Sequence, residues 1–133
     1  GVETRICRFY NVYGDSQLTE GEYAAVVGIF LEQYKHNKPL TITGDGEQRR
    51  DFTHVDDIVD GMFLSMSKEF GTYELGSGVN YSINELANMF GEDYPKEYIE
   101  ERVGEARETL CKKPDLLLVK NNLEDYIKGE ISE

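Results

Sequence analysis

Tryptophan is absent from this chain of 133 residues, and cysteine, proline and methionine are scarce at two, three and three. Two cysteines, Cys7 and Cys111, fit no zinc site, which needs about four clustered ligands. They are expected to be reduced thiols in a cytoplasmic protein, with Cys7 a buried, small apolar residue. No apolar run approaches the ~18–20 residues that span a bilayer, and no secretory signal pattern is present. Positive charge is short as well: 14 lysines and arginines face 26 acidic residues, a net charge of −12. That balance argues against a nucleic-acid backbone as main partner, although a local anion site can override the sum. Disorder is excluded by the 39% hydrophobic content, and a chain of this length makes one domain with a real core.

What is present reads as alternating strands and helices. Residues 4–13 alternate, with β-branched and aromatic residues on both sets, as in a strand covered on both faces; Gly14-Asp15-Ser16 closes it. The chain opens at Gly1-Val2-Glu3 almost directly into this strand, the pattern expected of one part of something larger. In 22–36, Tyr23, Val26, Val27, Phe30, Leu31 and Tyr34 follow helical spacing, ended by Asn37 and Pro39. Val55, Ile58, Val59, Met62, Phe63 and Met66 form the stripe of a second helix, with Asp56 and Asp57 at its positive end. Ser82 and Glu85 make a capping box for a third, its buried face Ile83, Leu86, Ala87 and Phe90 and its stop Gly91. Asn122 caps a short fourth helix carrying Leu123, Tyr126 and Ile127, with Gly129 beyond its end. Strands are expected at 40–43, 51–55 and 72–75, and a weaker one at 98–100. The fold class is α/β, as one compact unit over 1–133.

Chemistry is concentrated in arginine. Of six, four fall in two groups, Arg49 with Arg50 and Arg102 with Arg107. A guanidinium fork matches phosphate oxygens, so an arginine beside Gly44-Asp45-Gly46 suits a diphosphate. On residue physics alone, an ion pair with a carboxylate such as Asp51 or Glu105 is the more ordinary reading. His54 reads as a hydrogen-bonded structural residue and His36 as solvated. Tyr34 and Lys38 have the Tyr-x-x-x-Lys spacing, but Tyr34 completes an apolar stripe and Lys38 lies at the helix end, so a catalytic pair is rejected there.

Several blocks carry a resemblance. Arg8-Phe9-Tyr10-Asn11-Val12-Tyr13-Gly14, Gly21 to Val27, Pro39 to Asp57, Leu75-Gly76-Ser77-Gly78, Ser82 to Leu86, Arg102-Val103-Gly104-Glu105 and Leu123 to Ile127 occur in that order. Together they resemble the C-terminal, substrate-binding half of extended short-chain dehydrogenase/reductases that act on nucleotide sugars, the NAD-dependent UDP-glucose 4-epimerase-like epimerases and 4,6-dehydratases. The resemblance implies a substrate-binding domain over 1–133, with residues 1–14 the strand that continues the sheet of an N-terminal Rossmann half. It implies that Asn11, Arg50 and Arg102 hold the substrate diphosphate, that Glu105 contacts the ribose, that Ala25 and Val26 offer backbone contacts, and that Phe9 lines the nicotinamide side of NAD. Arg49 is the less suited neighbour.

Departures from the pattern accompany it. Asp15 and Gly28 replace frequent prolines, Thr43 stands where an aromatic often stacks on the base, and Lys113 to Lys120 replaces the segment before the last helix. The apolar part of that replacement is expected to pair with another chain. The Gly-rich pyrophosphate loop and the catalytic Tyr-x-x-x-Lys that precede the first strand in the family are not found here. The expectation is therefore a nucleotide-sugar-binding half of an epimerase, not catalytic alone, that pairs with a Rossmann-half chain or self-associates to cover its open strand. The alternatives are a non-catalytic nucleotide-sugar-binding or interaction module, and half of a 4,6-dehydratase.

Overall fold

The computed structural model describes residues 2–21, 24–101, 103–112 and 119–132. The opening segment is two strands rather than one: β1 (Arg5–Phe9) and β2 (Asn11–Tyr13), parted at Tyr10. They enter different sheets. β1 pairs in parallel with β5 (Gly71–Leu75), Arg5 opposite Gly71 and Phe9 opposite Leu75. β2 pairs in parallel with β4 (Arg49–His54), which also pairs antiparallel with β6 (Asn80–Ser82). β3 (Leu40–Thr43) and β7 (Lys96–Ile99) form a third, parallel pair. The α/β class expected from the alternation is the class observed.

Helix α1 (Val26–Lys35) starts later than the stripe suggests, with Ala25 as N-cap, and ends where Asn37 takes a left-handed φ of 56°. Its Gln33 clamps β3: Nε2 donates to Thr41 Oγ1 at 2.9 Å while Oε1 accepts from the Thr41 amide at 3.1 Å. Helix α3 (Ile83–Asn88) has both halves of the expected capping box, the Glu85 amide donating to Ser82 Oγ at 3.0 Å and the Ser82 amide to Glu85 Oε1 at 3.2 Å. Helix α4 (Leu123–Ile131) is capped by Asn122 but runs through Gly129, which lies inside it and not beyond.

The core gathers α1, α3 and α4 around β3 and β4, with Tyr13, Phe30, Leu40, Ile42, Phe52, Leu86 and Ile127 at its centre. Burial of these side chains is the main drive for the fold. Helix α2 (Val55–Ser65) departs from its expected pattern. Of its apolar stripe, Ile58 is buried, whereas Val59, Met62, Phe63 and Met66 are exposed, the last two at 68%. The stripe is helical in period but no described element covers it. Cys7, expected to be buried, is only half-buried because β1 borders the uncovered side, whereas Cys111 is buried. Among the described residues no helix is long and apolar enough to cross a membrane.

Candidate functional site

A cleft of about 230 Å³ opens where β2, β3 and β4 meet the N-terminus of α1. Its walls include Asn11 from β2, Ala25 and Val26 from the start of α1, Arg50 from β4, and Glu105 from the segment that follows β7. Five residues assigned to substrate by resemblance, far apart in sequence, thus line one space. Arg102 lies outside the described residues. Phe9 is not part of this cleft; it ends β1 opposite Leu75 and is half exposed.

Each wall residue is held by local structure. Asn11 occupies the β2 register position facing Phe52, and its Oδ1 accepts from Thr109 Oγ1 at 3.4 Å. Ala25 caps α1 without any side-chain hydrogen bond. The first-turn N–H groups of a helix have no intrahelical partner and carry the positive end of its dipole, so this rim favours an anion. Gly28 in the same turn has a steric reason: a Cβ there would come within 2.3 Å of the Leu18 carbonyl oxygen. The loop before α1 therefore lies against the helix at a distance that a side chain forbids.

The two neighbouring arginines have separate fates. Alternation on β4 sends Arg49 away from the cleft, where its Nη1 meets Glu85 at 2.6 Å and its Nε donates to Asn80 Oδ1 at 3.0 Å. Arg50 points into the cleft with its side chain 9% exposed. Its Nη1 donates to the Arg49 carbonyl at 2.7 Å and its Nη2 pairs with Glu105 Oε1 at 3.1 Å. This arginine therefore lines the cleft and at the same time is ion-paired with one of the two acids named as ordinary partners. The Glu105 segment is fixed by a parallel bridge between Arg49 and Glu108, with the Arg49 amide donating to the Arg107 carbonyl at 2.9 Å. Arg107 clasps Asp45 through two 2.9 Å contacts, which hold the Asp45 carboxyl well below its ordinary range at about 2.

Sequence reasoning missed the residues that support this wall. Asp51, fully buried, collects donors on both oxygens: Thr53 Oγ1, the Ser77 amide and Ser77 Oγ on one, and the amides of Gly78 and Cys111 on the other. Gln48, also buried, donates from Nε2 to the Thr43 carbonyl and Oγ1, both at 3.1 Å. Asp57, read as a helix-end charge, instead accepts from the amides of Lys120 and Asn121 and from Asn121 Nδ2. The available signal for Asp51 was an acid directly before Phe52 inside an expected strand, where burial demands donors. His54 is structural, as expected, its Nδ1 accepting from the Asp56 amide at 3.0 Å at the start of α2. Tyr34 packs on Phe90 and Tyr94, and Lys38 follows the helix end, so the spurious Tyr-x-x-x-Lys pair stays rejected. The apolar run within 113–118 lies outside the described residues.

Comparison with known proteins places the chain in a family. The sequence model of the Epimerase family, described as the NAD dependent epimerase/dehydratase family, matches residues 1–76. UDP-glucuronic acid decarboxylase 1 of Arabidopsis thaliana is 35% identical over 126 residues, covering 92% of this chain and 28% of the plant protein. A putative UDP-glucose 4-epimerase of Methanocaldococcus jannaschii is 36% identical over 89 residues, 67% of this chain and 29% of its own length. Among solved structures, UDP-glucose 4-epimerase of Thermotoga maritima with UDP-glucose superposes with a TM-score of 0.86 at 30% identity, over 98% of this chain and 45% of that one. The chain spans under a third of these curated relatives and a little under half of that solved chain.

Proposed function

Since the chain belongs to the NAD dependent epimerase/dehydratase family, we propose that it is the nucleotide-sugar-binding half of a UDP-sugar epimerase, which binds and orients substrate and does not complete the reaction alone. The observation that carries this is the meeting of the Arg50 guanidinium and the uncapped N-terminus of α1 across one cleft. Arginine and helix amides are two independent ways of holding a diphosphate, and Asn11 adds a neutral polar contact. Arg102 belongs to the same grip by its motif. Glu105 is an acceptor suited to ribose hydroxyls. Fixing the diphosphate at one end of the substrate leaves the sugar to be presented at the other, and such positioning lowers the entropic part of a barrier.

NAD, the cofactor of the family, would supply hydride chemistry to the complete enzyme when bound. The described residues of this chain do not fit that cofactor: Phe9 is the one side chain assigned to it, and it stands half exposed outside the cleft. Binding and orientation are thus this chain's share, and a Rossmann-type half supplies the rest. The exposed α2 stripe, with Ile6 on β1 beside the open β1–β5 sheet, supports a docking face for such a half, since parallel sheets are ordinarily covered on both faces. Without it, the same face drives self-association.

Calorimetric titration with UDP-glucose, with UDP and NAD in parallel, tests the proposal. Heat with UDP-glucose that Arg50→Ala abolishes is the expected result, with none from NAD. No heat from either uridine ligand overturns it.

A further inference from the structure

Two residues assigned to different ends of a nucleotide hold each other. Arg50, for phosphate, and Glu105, for ribose, are joined at 3.1 Å. A ribose ring lies between a 5′-phosphate and the cis-diol, so neither residue can reach its own end of the ligand while the pair is closed. Moreover, Nη2 of a guanidinium belongs to both of its bidentate forks, and in Arg50 that atom already faces Glu105 while Nη1 serves the Arg49 carbonyl. An incoming phosphate meets a carboxylate on the edge it needs, like charge beside like charge in a partly buried site.

We infer that Glu105 is a specificity-determining residue that occupies the phosphate position on Arg50 until a ligand with both a diphosphate and a ribose diol displaces it. The inference rests on the diphosphate reading of this cleft and deepens it. The segment is built for the exchange. Beyond Glu105 it is anchored by the Arg49–Glu108 bridge and by the Arg107–Asp45 clasp. Before it stands Gly104, at a φ of 82°, where a Cβ would meet nothing within 4 Å among the described residues. Among the described residues, the other contact of Glu105 is a long 3.5 Å one from Thr43 Oγ1, so parting it from Arg50 breaks little else there. A bare polyanion can compete for Arg50 but gives the displaced carboxylate nothing to hold. A nucleotide diphosphate compensates it with the diol. At about 230 Å³ the closed cleft is also small for a nucleotide sugar, and parting the pair enlarges it.

The test is calorimetry with inorganic pyrophosphate, UDP and UDP-glucose on the wild-type chain and on Glu105→Gln and Glu105→Ala, each checked for an unchanged thermal transition. Removing the carboxylate is expected to tighten pyrophosphate binding by about fivefold to tenfold, the scale of one nearby like charge, and to narrow the preference for UDP over pyrophosphate. Pyrophosphate affinity that is unchanged or weaker in both variants, with UDP still bound by wild type, overturns the exchange and leaves the nucleotide-sugar reading intact. Tighter pyrophosphate binding in the variants with no UDP or UDP-glucose binding by any form shows a carboxylate that merely blocks Arg50, and overturns both the diol-driven exchange and that reading. No binding by any form overturns both.

Discussion

Asp51 shows how much of a cleft rests on a residue that does not line it. Its five donors come from β4 itself, from the 77–78 turn and from Cys111, so one carboxylate ties two other segments to the strand that carries Arg50. In Asp51→Asn an NH2 group replaces one acceptor oxygen and faces donors, some of them backbone amides that cannot turn away. Loss of about 2–4 kcal/mol is expected in urea unfolding, against almost nothing for Asp56→Asn, whose side chain is 76% exposed. The sequence made Arg50 legible because it sits in a motif of distinctive order. It left Asp51 silent, since a buried acid is recognised by the donors around it and those lie as many as 60 residues away. The Arg50–Glu105 contact was legible only as one option among many carboxylates; choosing among them takes three dimensions.

Elements were easier to read than their environments. The capping box at Ser82, the Asn122 cap and the stripe of α1 follow from local chemistry, and each is present. The long opening strand was misjudged because alternation alone does not say that Tyr10 parts two sheets. The α2 stripe has the expected period while most of it is exposed, since periodicity identifies a face without naming what lies against it. The docking of α4 has a pH signature. Tyr126 packs on Tyr13 at 5.1 Å, and burial, then the nearby Glu130 and Asp15, push its hydroxyl up to about 12. Its folded value lies above the unfolded one, so this contribution is whole below pH 10 and is lost as pH rises through about 12. Urea midpoints should fall between pH 9 and pH 11, and fall less in Tyr126→Phe.

At the scale of the molecule, one side is finished and the other is not. The core and cleft side is closed by α1, α3 and α4, while Met62, Phe63, Met66 and Ile6 remain exposed on the other. Light scattering at high concentration should show species larger than a monomer, and Phe63→Glu should return them toward it; a wild-type chain that stays monomeric would count against self-association. The pairing pattern has a further consequence, for how such a chain reaches its shape. Arg5 waits for Gly71, Asn11 for Phe52 and Leu40 for Lys96, and every parallel pair joins segments far apart along the backbone. Such high contact order places refolding toward the slow, millisecond-to-second end of the range. During that interval the β1 edge and the α2 stripe are open to any other unfolded chain. Dilution should therefore favour recovery of the native state, and crowded refolding should favour aggregates.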